Sequence, residues 1–273
     1  MAGGAGAVGG LLVELLRGCD FEVHVLDIAT GADITAPPAE VGSADVVVLA
    51  VPEPVALAAI EPLAAAMKPG ALLVDTLSVK GPVVSAIREH MADFEALSIN
   101  PMFAPSLGMR GRAVAAVSVH SGPRSVRLLE LIEGWGARVV LVGAEEHDRL
   151  AAAAQVLTHA AVLGFGVALT ELDVDIADLT ALAPPPHAML LALLARIAGG
   201  TPEVYWDVQS ANPQAPAARK ALASGVRRLA EVIENGGEEE FTGLLGTLTD
   251  FFGTDLGRYR DLCARTFAGM EQA

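Results

Sequence analysis

Two groups of residues have types and spacing suited to chemistry. Near the amino end, Gly4-Ala5-Gly6-Ala7-Val8-Gly9 has the glycine pattern of a turn that wraps a dinucleotide pyrophosphate. Gly4 permits the tight bend, Gly6 lets backbone approach the phosphates, and Gly9 lets a helix pack closely on a strand. Ala7 and Val8 begin that helix, whose first N–H groups point at the phosphates. Asp27 ends the apolar run Val23-His24-Val25-Leu26-Asp27, 18 residues after Gly9. A carboxylate there accepts from both ribose hydroxyls and repels a 2′-phosphate, and no arginine follows it closely, so the expected cofactor is NAD rather than NADP. Val51 and Pro52, closing the next strand, are further expected cofactor contacts.

The second group lies where strands end. Asp75-Thr76-Leu77-Ser78-Val79-Lys80 and Asn100-Pro101-Met102-Phe103-Ala104-Pro105 each follow a buried strand, and open α/β sheets bind ligands beyond the carboxyl ends of their strands. Lys80 is read as capping its turn, meeting a carboxylate, or lying in solvent. His147 and Asp148 are read as capping and hinge residues at the start of a long helix. His159 lies in an uncharged helical stretch, where a histidine is either a satisfied core residue or a ligand contact.

The elements that must position these residues alternate. Expected strands are 21–28, 45–51, 71–75, 96–99, 113–119 and 138–142, with helices over 8–17, 55–67, 81–91 and 124–135. Val46 to Val51 is continuously apolar, as in a strand covered on both faces. The expected fold is α/β, a Rossmann-like doubly wound parallel sheet over residues 1–143. Only Met1, Ala2 and Gly3 precede the glycine turn, so the central first strand is a stub or missing. From 144 to 273 no strands are expected. Ala144 to about Glu171 reads as one long helix, followed by several more, and their apolar faces suggest a homodimer formed through this half.

Composition narrows the function classes. The 273 residues are 52% hydrophobic and 19% charged, which excludes intrinsic disorder. A net charge of −15 repels nucleic acid and anionic membranes. Two cysteines, Cys19 and Cys263, make neither a disulfide framework nor a metal site and suit a cytoplasmic location. Leu150 to Thr170 lacks Asp, Glu, Lys and Arg, yet Gln155, Thr158 and His159 mid-segment and acidic flanks favour a buried helix over a membrane span.

The two strand-end motifs, together with Gly134-Trp135-Gly136-Ala137-Arg138, Glu146-His147-Asp148 and Gln155-Val156-Leu157-Thr158-His159, resemble the prephenate dehydrogenase family across nearly the whole chain. The resemblance implies NAD-dependent oxidative decarboxylation of a cyclohexadienyl dicarboxylate, in which hydride leaves ring carbon 4, carbon dioxide leaves carbon 1, and the ring becomes aromatic. It implies that Ser78, Asn100 and His159 are catalytic, and that these with Met102 line the substrate. Arg219 and Lys220 lie near the family's carboxylate-binding arginine, which a gapless match puts at Ala221. Arg110 and Arg112 are weaker cation candidates, with surface solvation as their default.

One position departs from the family. Where it carries a histidine that takes a proton from the 4-hydroxyl, this chain has Asn100, and an amide has no useful basicity at neutral pH. An amino group on carbon 4 offers an explanation, because its lone pair assists hydride loss and gives an iminium directly. The favoured substrate is therefore 4-amino-4-deoxyprephenate, giving 4-aminophenylpyruvate. The alternatives are prephenate or arogenate as substrate, and a non-catalytic ligand-binding paralogue.

Overall fold

The computed structural model describes residues 1–270 as two compact units, Met1–Ala151 and the part from Ala152 onward. In the first unit five strands stand side by side in chain order: β1 (Val46–Leu49), β2 (Leu72–Asp75), β3 (Glu95–Pro101), β4 (Ala113–His120) and β5 (Arg138–Leu141). Residues in β1 alternate between two cores. Val47 and Leu49 pack with α2 (Glu53–Ala66) and α3 (Gly81–His90), while Val48 packs with α1 (Ala7–Arg17) and α4 (Pro123–Gly134). The sheet is thus covered on both faces, as the apolar runs predict.

It is not parallel throughout. β1, β2 and β3 are parallel, but β4 runs antiparallel to β3, and β5 is parallel to β4. The reversal follows from the connections: α2 and α3 carry the chain back between parallel strands, whereas residues 102–112 form a loop with one short 3-10 turn. A parallel crossover usually needs a helix's worth of chain.

The edge nearest the glycine turn also departs from expectation. Ala2 alone bridges Leu26 on one side and Leu49 on the other, in parallel sense. Its N–H donates to the Val48 carbonyl at 2.8 Å, and its own carbonyl accepts from Ala50 N–H at 2.9 Å. Gly3 N–H donates to Leu26 O, and Leu26 N–H to Met1 O, both at 2.8 Å. Met1 to Gly3 therefore hold the central position as a stub. Residues 21–28, expected as a strand, make only that one bridge, between Leu26 and Ala2. Alongside the stub lies a cavity of about 790 Å³ whose lining includes Met1, Phe21, Val23, Val46 and Leu131.

The second half is helical. α5 (Ala144–Ala151), a π-helical turn (Ala152–Val156) and α6 (Leu157–Glu171) form one 28-residue stretch. Then follow α7 (Ile176–Leu182), α8 (Pro185–Ala198), α9 (Pro202–Ser210), α10 (Ala215–Asn235), α11 (Glu238–Phe252) and α12 (Leu256–Met270). α5 packs on α3 and belongs to the first unit.

The expectation of a buried long helix fails within the single chain: only 28% of its most apolar window is buried, and by length and composition it could cross a membrane. One buried cluster of the second unit is formed by Ala152, Val156, Val208 and Ala215, and Val162 and Ile197 are buried as well. Val167, Leu182, Trp206, Ile233 and Phe251 are all exposed.

Candidate active site

The left-handed residue of the glycine turn is Gly3 rather than Gly4, and a Cβ at Gly4 would instead meet Val25 Cγ1 at 2.8 Å. Gly3 has φ +73°, and a Cβ there would overlap the Ala50 carbonyl. A Cβ at Gly9 would overlap the Gly3 carbonyl. At Gly6 an added Cβ would meet nothing closer than Gly3 O at 3.3 Å, leaving the outer side of the turn open. α1 begins at Ala7 with no side-chain cap and no acidic residue in its first turn, so no protein anion competes there. Asp27 lies beside the turn, accepting from Ala5 N–H at 3.1 Å and Ala29 N–H at 3.0 Å. Val51 is close to Gly3, and Pro52 precedes the first turn of α2. An open cradle of backbone N–H groups with a carboxylate beside it fits a dinucleotide.

At the carboxyl ends of the neighbouring parallel strands, the turn after β2 holds Ser78 and Asn100 is the penultimate residue of β3. Both lie at the same edge of the sheet, with half-buried Met102 just beyond. Asn100 is only 4% exposed. Its amide nitrogen lies 3.1 Å from His147 Nε2, and His147 Nδ1 lies 2.9 Å from Asp148 Oδ1. Asp148 in turn accepts from the backbone N–H of Lys80 at 2.7 Å and of Gly81 at 2.8 Å, closing the start of α3. Burial would raise the Asp148 pKa, but the hydrogen bonds from His147, Lys80 and Gly81 outweigh it and hold this carboxyl below its usual range.

Lys80 is fully buried, which resolves its three sequence readings in favour of a carboxylate partner. Its ammonium donates to Asp75 Oδ1 at 3.0 Å and to the Ile99 carbonyl at 2.7 Å. Burial lowers its pKa, and the Asp75 charge partly restores it. His147 and Asp148 likewise differ from their reading as cap and hinge. Asp148 caps α3 rather than its own helix, and His147 meets Asn100. An imidazole near a glutamate and an aspartate at a helix start looks like capping in one dimension, and only the packing of α5 on α3 reveals its partner.

Of the remaining expected residues, three lie in the second unit. His159, on α6, meets the ring of Tyr205 edge-on at 5.2 Å, and its Nδ1 is buried without a partner among the described residues. Burial, then the Arg196 charge, lowers its pKa below that of an ordinary imidazole. Arg219, on α10, donates to the Gln209 carbonyl at 2.6 Å and to Gln209 Oε1 at 3.2 Å. Lys220 is exposed beside it. In the first unit, Arg112 bonds the backbone carbonyls of Gly108 and Arg110.

A glycine turn with an open outer side, a carboxylate beside it and polar side chains beyond the carboxyl ends of parallel strands are the parts expected of a dinucleotide-dependent dehydrogenase. Residues 18–117 match the prephenate dehydrogenase nucleotide-binding domain, and residues 143–247 match the prephenate dehydrogenase dimerization domain. The chain is 50% identical to a 4-amino-4-deoxyprephenate dehydrogenase of Streptomyces pristinaespiralis over 99% of its own length and 96% of the relative's. It superposes with a TM-score of 0.69 on the crystal structure of prephenate dehydrogenase from Aquifex aeolicus in complex with hydroxyphenyl propionate and NAD+, covering 89% and 92% of the two chains at 19% identity. A Synechocystis arogenate dehydrogenase gives a TM-score of 0.66 at 18% identity, with 93% and 96% covered. The chain belongs to the prephenate dehydrogenase family of oxidoreductases.

Proposed function

We propose that this protein oxidatively decarboxylates 4-amino-4-deoxyprephenate to 4-aminophenylpyruvate, with NAD+ as oxidant. The observation that carries the reading is Asn100: a buried amide stands near the carboxyl end of β3, where the resemblance to the family implies a proton-accepting histidine. The half-identity to a dehydrogenase named for this substrate supports it.

Nitrogen needs no proton acceptor at that place. Starting from the neutral amine, its lone pair expels hydride from carbon 4 and leaves an iminium. The electron pair of the breaking bond to the carbon 1 carboxylate flows through the ring to nitrogen, carbon dioxide departs, and the aromatic amine keeps both N–H protons. The bound nicotinamide supplies the hydride acceptor. Gly4, Gly6, Ala7, Val8 and Gly9 would hold the pyrophosphate, Asp27 the ribose, and Val51 and Pro52 the wall beside it. Asn100 would accept an N–H of the substrate, and Ser78 and Met102 would line the ring.

The exposed apolar surface of the second unit and its match to a dimerization domain support a homodimer, whose partner would cover the long helix. The exposed face of the long helix would thus be buried between two copies of the chain rather than inserted in a membrane. A cytoplasmic location is proposed on the two cysteines, both exposed and unpaired.

Steady-state turnover of the amino and hydroxy substrates tests the function. The wild type should show the higher kcat/KM with the amine, and Asn100→His should shift preference toward the alcohol by about a hundredfold, the value of a positioned general base. Equal or better wild-type use of prephenate would overturn the proposal.

A further inference from the structure

The two ends of an asparagine amide are nearly the same shape, so only its hydrogen-bond partners decide which end a ligand meets. Around Asn100 that decision has a visible chain of causes. The Asp148 carboxylate is pinned by two backbone N–H donors at the start of α3, those of Lys80 and Gly81. An ionised carboxylate only accepts, so the proton of a neutral His147 ring belongs on Nδ1, which faces Asp148 Oδ1 at 2.9 Å. Nε2 then carries a lone pair and can only accept. At 3.1 Å it faces Asn100, and the amide NH2 is the end that can serve it. The Asn100 oxygen is left as the end offered elsewhere.

We propose that His147, oriented by Asp148, is a positioning residue that presents the carbonyl oxygen of Asn100, rather than its NH2, to the nitrogen on ring carbon 4. This inference rests on the proposed amino substrate. It matters because the two polarities act in opposite directions on hydride loss. A carbonyl accepting an N–H leaves the nitrogen lone pair free and enriches it. An amide NH2 donating to that nitrogen would engage the lone pair that must expel hydride. The effect belongs to the step in which charge develops, and so to kcat rather than KM. His147 itself touches neither substrate nor cofactor in this scheme: its ring is 3% exposed and both nitrogens are engaged.

Two variants and one measurement on the wild type test this. His147→Phe keeps the ring's bulk and removes the acceptor, and should lower kcat on the amino substrate about tenfold with KM within about twofold. His147→Gln can return an oxygen acceptor to the place of Nε2, and should recover most of that loss. A purely structural role would leave the two variants equally impaired. In nitrogen-15 spectra of the unmodified protein at neutral pH, His147 Nδ1 should carry the proton and Nε2 should not, a result independent of whether either variant folds. The opposite tautomer overturns the inference, as does equal loss in both variants, no loss in Phe, or a loss carried by KM. A wild type that fails to oxidise the amine sinks the functional reading itself, whereas a wild type that prefers the amine with the wrong tautomer sinks only this inference.

Discussion

The ammonium of Lys80 joins the Asp75 carboxylate at the end of β2, 3.0 Å away, to the Ile99 carbonyl one residue before Asn100, 2.7 Å away. The contact ties the two strand ends that carry Ser78 and Asn100, and neither charged side chain reaches solvent. Its first consequence is structural. Lys80→Met should cost about 3–5 kcal/mol, because it strands a buried carboxylate. Replacing Asp75 as well, by Leu, should recover part of the loss. Urea unfolding of both variants is the check, and a Lys80→Met protein as stable as the wild type would refute the pairing's role.

Asp27 should govern the choice of cofactor. Asp27→Ala is expected to weaken NAD+ about tenfold, the worth of a lost charge-assisted hydrogen bond, while NADP+ binding holds or improves as the repulsion disappears. Fluorescence titration with both dinucleotides reads the two affinities. A parallel loss for both would remove Asp27 from the ribose site.

Asp148 makes acid stability measurable at one residue. Its folded pKa is depressed, so its contribution is complete above the ordinary carboxylate value of about 3.9 and is lost as pH falls through the lower folded value. The wild type should therefore exceed Asp148→Asn by about 1–3 kcal/mol near neutrality, with the gap closing below about pH 4. Urea unfolding across this range decides it, and a gap that stays constant to pH 3 would contradict the assigned hydrogen bonds.

The exposed helices predict assembly. Sedimentation should give a particle of twice the chain mass of 28.1 kDa, and Ile233→Glu or Phe251→Glu on the apolar surface should shift it toward the monomer. A monomeric wild type at micromolar concentration would leave the long helix without its proposed cover.

Local patterns were readable wherever the physics is local. The glycine spacing anticipated a turn in which Gly9 has no room for a Cβ, and continuous apolar runs anticipated strands buried on both faces. Strand direction was less readable, since it is set by whether a connection holds a crossover helix. The strand expected over 21–28 is reduced to a single bridge at Leu26, since an extended apolar run becomes a strand only where a neighbour pairs with its backbone.

By itself, then, the sequence determined which residue types were available: an amide in place of an imidazole at position 100, a glycine turn, an acidic residue after it, and a family likeness resting on ordered motifs. Only the tertiary structure decided who meets whom. It put Lys80 in the interior rather than in water, set Asp148 against the start of α3 across 68 residues of chain, and placed His147 behind Asn100 across 47. Hydrogen-bond partners distant along the chain leave no periodic trace in it, because periodicity records which face is buried and not what lies on the other side.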